Sequence, residues 1–170
     1  MQPARARTRV LLVTAALAVA CDAVAADGSA TGTLTKMSQG APITVALNYV
    51  WLFTGPDPFD PKVTLRHLIF SATDLGAKIA ACQTMGCVDG AVHSGMTVDL
   101  GAGPRLNYWV SVNDQRVQYS GTVVPSALKL TTDTPTRLAG KLTIDDAAAG
   151  GAKVDVEFDA PLARELKLAP

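Results

Sequence analysis

Residues 92–119 read VHSGMTVDLGAGPRLNYWVSVNDQRVQY. In the first third, Val92, Ser94, Met96, Val98 and Leu100 alternate with His93, Thr97 and Asp99, which is the period of a strand with one face buried. Asn113 and Asp114 both tolerate positive φ, as the centre of a two-residue type I′ turn requires. A hairpin is therefore predicted there, with Val112 opposite Gln115, Val110 opposite Val117 and Tyr108 opposite Tyr119 on one face. The other face carries Ser111 with Arg116 and Trp109 with Gln118. A slip of one residue would mix the two sets, so the pattern itself specifies which side chains share a face. Carrying these faces back across the loop 101–104 sets Met96 beside Val110 and Val98 beside Tyr108. Thr97 then meets Trp109 and Asp99 meets Asn107, and the three strands form an antiparallel meander.

The same alternation recurs elsewhere. Ile43, Val45, Leu47, Tyr49 and Trp51 share one parity, with Thr44, Ala46 and Asn48 on the other. Val154, Val156 and Phe158 alternate with Lys153, Asp155, Glu157 and Asp159, and Leu138, Leu142 and Ile144 oppose Arg137, Lys141 and Thr143. Further strands are expected at 31–36, 62–72, 127–132 and 137–145. Turn chemistry separates them at Gly55-Pro56-Asp57-Pro58, at Asp133-Thr134-Pro135 and through 146–151. One helix is expected over 74–85, where Thr73 or Asp74 can cap and Ala77, Lys78, Ala80 and Ala81 favour the helix. About nine short strands and one brief helix point to an all-β protein. The expected form is an antiparallel β-sandwich, immunoglobulin-like in architecture, with a closed β-barrel as the alternative.

The chain has 170 residues, enough for one domain with its own core. Hydrophobic residues make up 48% and charged residues 18%, too apolar for disorder and too polar for a multi-span membrane protein. Lys plus Arg and Asp plus Glu both number 15, a balance that excludes the basic excess of a nucleic-acid binder. Arg5, Arg7 and Arg9 precede the apolar run VLLVTAALAVA at 10–20, and Ala23-Val24-Ala25 supplies a small-residue cleavage motif. Residues 1–25 therefore read as a secretory signal of bacterial type, and the run is too short for a transmembrane helix. Three of the 15 basic and one of the 15 acidic residues fall in this segment, which leaves 12 against 14 in a single domain over 26–170. Ala18-Val19-Ala20-Cys21 resembles a lipoprotein box, with cleavage before Cys21 and lipidation of that cysteine. The product is thus expected either in the periplasm or secreted, or held at the envelope by a lipid anchor without a transmembrane span.

With Cys21 set aside, Cys82 and Cys87 remain, an even pair in an exported chain and hence a disulfide. Cysteines five apart on a continuous helix point in different directions, so the helix must break between them. Gly86 is the expected C′ residue of that break. A ring this small stabilises by about 2 kcal/mol through loop-closure entropy, a local staple. A redox pair or a metal site is the competing use of the two thiols, but redox motifs place two residues between the cysteines and follow a βαβ pattern.

Two stretches carry a resemblance. One is Gly140-Lys-Leu-Thr-Ile-Asp-Asp146, Gly150-Gly151 and Val154-Asp-Val-Glu-Phe-Asp-Ala-Pro-Leu162; the other is Gly32-Thr-Leu-Thr35 with Tyr49 and the loop Pro-Asp-Pro-Phe-Asp-Pro at 56–61. Together they resemble a group of small exported bacterial proteins of unknown function with an all-β domain. The resemblance implies the fold and export, and its strand and turn residues bring no active site.

No catalytic set is assembled. The only imidazoles are His67 and His93. His67 shares parity with Val63, Leu65 and Ile69 and reads as a hydrogen-bonded core or edge histidine, while His93 lies on the polar side of its strand. No G-x-S-x-G elbow occurs. A copper-type site would draw on His93 and Met96 with His67, Met37 and Met85, yet His93 and Met96 sit three apart and point to opposite faces of a strand. Asp57 and Asp60, like Asp145 and Asp146, fall short of a calcium loop. Asp99, Asp155 and Glu157 are the dispersed carboxylates a hydrolase would need. The expectation is a binding or interaction module of the cell envelope with no cofactor and no metal, recognising an envelope protein or a small ligand. Phe59, Asp57, Asp60 and His93 are its candidate contact residues, and a metal-handling protein and a hydrolase are the alternatives.

Overall fold

The computed structural model describes residues 28–57, 60–101, 103–114 and 118–168. Nine strands form where the alternation places them. They are β1 (Gly28–Ser38), β2 (Ala41–Pro56), β3 (Thr64–Ser71), β4 (Gly95–Leu100), β5 (Leu106–Ser111), β6 (Tyr119–Val123), β7 (Leu128–Thr134), β8 (Arg137–Asp145) and β9 (Ala152–Glu165). The all-β expectation holds. The division into two sheets does not: the strands hydrogen-bond in one sheet ordered β6-β5-β4-β3-β2-β1-β9-β8-β7. All neighbours in that order are antiparallel. One short parallel contact pairs Leu52 with Leu162 and Thr54 with Glu165, where β2 and β9 run on past the start of β1.

Antiparallel alternation gives β6 and β7, at the two ends of that order, the same direction. Only residues 124–127 join them. Edges of a flat nine-stranded sheet would stand about 38 Å apart, and five Cα steps reach at most about 19 Å. The sheet is therefore curled, and one bent path through Pro125 leaves the β5 edge and joins the β8 edge. Contacts across the curl agree. Phe70 of β3 meets Phe158 of β9 edge to face at 5.3 Å between ring centroids, and Arg66 of β3 pairs with Asp133 of β7. Lys36 of β1 sits 5.5 Å from the ring centroid of Tyr119 in β6. Among the described residues no ladder joins β6 to β7, so the barrel is not closed by hydrogen bonds.

The inner face carries the main core, which includes Leu34, Leu47, Leu52, Phe70, Tyr108 and Val156, all fully buried. Gly32 lets β1 and β9 approach closely, since a Cβ there would stand 2.2 Å from the Asp155 carbonyl oxygen. The expected β4–β5 pairing is found residue for residue, from Met96↔Val110 to Asp99↔Asn107, although β4 begins at Gly95, so His93 lies outside it. The hairpin differs. Asn113 and Asp114 do take positive φ (55° and 57°), but Val110 pairs with Tyr119 and Tyr108 with Gly121. The ladder is shifted by two residues from a tight turn, which preserves the faces and lengthens the loop; residues 115–117, which the expected pairing used, lie outside the described ones.

Strand β2 corrects a second expectation. Val45 and Leu47 face the main core, but so do Val50 and Leu52, while Tyr49, Trp51 and Phe53 face the other way. The alternation skips a step where Ala30 and Thr31 of β1 together oppose Asn48, an irregularity of the β-bulge kind that re-aims the side chains beyond it. The outward set is covered by helices α1 (Gly76–Ala80) and α2 (Met85–Gly90), two where one was expected. The first stops before Cys82, and Gly86 lies inside the second rather than capping the first.

Candidate functional site

The buried imidazole is His67, placed by β3 on the outer face beneath the helices and 1% exposed. Cross-strand pairing sets Asp99 of β4 directly opposite it, and that carboxylate binds Nδ1. From the other side Asp89, near the end of α2, brings Oδ1 to 2.8 Å from Nε2, off the line that a ring N–H bond requires, so this contact is ionic. Burial alone would press the imidazole pKa down, but the Asp89 and Asp99 carboxylates outweigh it and raise it to about 9. At neutral pH the ring is a cation between two anions. It carries no free lone pair for a metal or for proton abstraction, and it ties a helix to the sheet.

Sequence reasoning placed His67 as a bonded core or edge histidine and missed both carboxylates. Asp99 was within reach, because extending the β4 faces onto β3 would have set it against His67. Asp89 was not, because the packing of a short helix over a sheet leaves no periodic trace.

Around this point the helices are fastened twice more. Cys82 and Cys87 form the expected disulfide, with Cα atoms 5.4 Å apart. The end of β9 and the residues after it lie against the ring. Arg164 Nη1 donates to the Cys82 carbonyl at 2.7 Å, the Lys167 amide donates to Gln83 O at 2.9 Å, and Thr84 and Lys167 form an isolated parallel bridge. Beneath lies an apolar cluster that includes Trp51, Phe53, Ile69, Met85, Val88 and Leu166.

The other sequence candidates are dispersed. Asp57 and Asp60 brace the loop between β2 and β3: the Asp57 amide donates to Val63 O, the Val63 amide to Asp60 O, and the Lys62 amide to Asp60 Oδ1. The carboxylate of Asp60 is thus a turn acceptor, as turn chemistry predicts. Phe59 and Cys21 lie outside the described residues, as does the segment 1–25 that was expected to be a signal. His93 is exposed in a bend before β4. Met96 is fully buried in the main core, Met85 lies under the helices and Met37 is exposed at the end of β1, so they do not converge with His93. Among the described residues no three His, Cys, Asp or Glu side chains are grouped to hold a metal ion. Asp155 and Glu157 are exposed on β9 beside Lys141, whose ammonium lies 2.8 Å from Asp155. Asp99 is already engaged by His67.

A second polar knot sits where the sheet curls over the β8–β9 turn. The Tyr108 hydroxyl, buried in the core, donates to Asp146, and burial together with that carboxylate pushes the phenol pKa up. Tyr119 packs 5.9 Å from Tyr108 between ring centroids, and Gly151 leaves room for its ring. This joins β5 to the turn between β8 and β9, elements far apart in the sheet.

No helix among the described residues is long and apolar enough to cross a membrane. No family model, curated protein or solved structure matches this chain.

Proposed function

We propose that this chain is an exported β-domain serving as a binding or interaction module of the cell envelope, with no chemistry of its own. The observation that carries this reading is the state of His67. Buried beneath the helices, it meets Asp99 at Nδ1 and Asp89 at Nε2, so both ring nitrogens are spent on holding the fold. The disulfide supports export, since such bonds persist in oxidising compartments. Residues 1–25 are the signal on this reading, with a soluble product cleaved near Ala25 or a lipid-anchored one beginning at Cys21. The architecture is best described as an incompletely closed barrel, whose bent β6–β7 path stands where a sandwich would have its second sheet edge. Loops on a rigid scaffold commonly carry recognition, and the braced, proline-rich loop at 56–63 is the expected contact region. Neither the copper-type reading nor the hydrolase reading has a convergent set of side chains behind it among the described residues.

Expression with the native N-terminus, followed by intact-mass analysis, tests the export half. A product shortened by the signal, with the Cys82 and Cys87 thiols oxidised, is expected; a full-length product or free thiols would count against it. The binding half is tested by placing a photo-crosslinking residue at Asp60 and irradiating intact cells. A discrete adduct that excess unmodified protein competes away is expected. The absence of any adduct, or substrate turnover abolished by His67→Gln in a correctly folded variant, would replace the module with another reading.

A further inference from the structure

Helices α1 and α2 have five and six residues, with no side-chain cap bonds. Helices this short are not stable by themselves in water. They nonetheless cover Trp51, Phe53 and Ile69, which are 2%, 1% and 0% exposed. What holds them is the set of fastenings above: the disulfide ring, the Asp89 contact to His67, and the end of β9, whose backbone partner Gln83 lies inside the ring.

The two sulfurs are unequally placed. Cys82 is buried at 4%, and its Sγ lies 3.7 Å from the Lys78 carbonyl oxygen, whereas Cys87 is exposed. A thiol therefore approaches the ring from the Cys87 side. We propose that residues 76–91 form a redox-operated lid, closed over the outward apolar face of β2 and β3 by the Cys82–Cys87 bond and released when a dithiol reduces it. The attacking thiolate forms a bond to Cys87 Sγ, the Cys82–Cys87 bond breaks, and Cys82 leaves as a thiolate that takes up a proton. The second thiol of the reductant then attacks the mixed disulfide and expels Cys87 as a thiol. Two electrons pass from the dithiol, which ends as a disulfide, to the protein, which ends as two thiols. With the ring open, the turn at 82–87 no longer fixes the approach of α2 to α1. The Asp89 contact to His67, the Arg164 bond to the Cys82 carbonyl and the Lys167 contacts to Gln83 and Thr84 are then the remaining ties.

The sheet does not depend on this ring, because no strand ladder draws on residues 82–87. Reduction should therefore act locally. Hydrogen exchange on the full chain, read by mass spectrometry before and after dithiothreitol, tests this. Amides that report closure include Ile79, Cys82, Val88 and Ala91, each bonded to a carbonyl within the lid or at its entry. Their exchange is expected to rise about tenfold or more, as loss of a small ring predicts, while the β3–β4–β5 ladder amides keep their protection. In a Trp109→Phe background the remaining tryptophan, Trp51, should report the same event by a red shift of its emission. A Cys82→Ser, Cys87→Ser variant should reproduce the reduced state without reductant. Unchanged lid exchange in that variant would overturn the proposal, as would equal loss of protection in lid and ladders, which makes the bond a global staple. A disulfide that resists dithiothreitol in the folded protein would also overturn it, by removing the route through Cys87.

Discussion

His67 shows how one side chain links helix to sheet and makes stability depend on pH. Its pKa is raised from 6.5 to about 9 in the folded chain. The folded state therefore binds a proton that the unfolded state releases once pH exceeds the ordinary imidazole value. The stabilisation is fully present below about pH 6.5 and is lost as pH rises through 9. A shift of this size corresponds to something on the order of 3 kcal/mol across that window. Urea denaturation at pH 7, 8, 9 and 10 should show the midpoint falling steadily, with the loss levelling off above the folded-state value. His67→Gln should be less stable at pH 7 by about 3 kcal/mol, because it leaves two carboxylates facing each other without a cation. It should also lack this particular decline. A wild-type midpoint that is flat between pH 7 and 10 would mean that the imidazole is neutral in the folded protein.

Strand β2 separates what could be read in advance from what could not. Its existence, and the nine strands overall, followed from alternation and turn residues, because half-buried strands expose that period directly. The β4–β5 register followed too, since Met96, Val98, Tyr108 and Val110 admit one matching of faces. What stayed illegible depended on partners distant in sequence. The skipped step after Leu47 comes from the register shift that sets Asn48 against two residues of β1, and a run such as Tyr49-Val-Trp-Leu-Phe53 reads equally well on either parity. The two-residue shift of the β5–β6 ladder is set by the length of its loop, which the positive φ values of Asn113 and Asp114 alone do not determine. The site was legible only in part: the disulfide from the even cysteine pair and the expectation of export, His67 as a bonded histidine, but not the carboxylate from α2. The two-sided burial of β2 makes its own prediction. Leu52→Ala, facing inward, should cost about 2–5 kcal/mol, and Phe53→Ala, facing outward beneath the helices, about 3–5 kcal/mol. An outward face open to water would give the second substitution a far smaller effect. Denaturant midpoints of the two variants, measured with the disulfide intact, distinguish these cases.

The molecule as a whole is decided by curvature. In a flat sheet of the observed order β3 and β9 stand three strand spacings apart, about 14 Å, and their side chains could not touch. Curling brings Phe70 and Phe158 to 5.3 Å at an interplanar angle of 87°, the edge-to-face geometry that aromatic rings favour. The same curl explains how β6 and β7, the two edges, can be consecutive in the chain with four residues between them. A right-handed strand twist accumulated over nine strands supplies the tendency to roll, and the apolar inner face supplies the driving force, since rolling removes both halves of it from water. Phe70 and Phe158 therefore test the architecture directly through a double-mutant cycle. Each single substitution to Leu removes the ring contact and keeps most of the buried area. If the sheet is rolled, the coupling free energy should be about 0.5–1.5 kcal/mol, the range measured for aromatic pairs. Residues on strands that face different cores add without coupling. A coupling within error of zero, with both single variants folded, would mean that β3 and β9 do not meet, and the single curled sheet would have to give way to two separately packed layers.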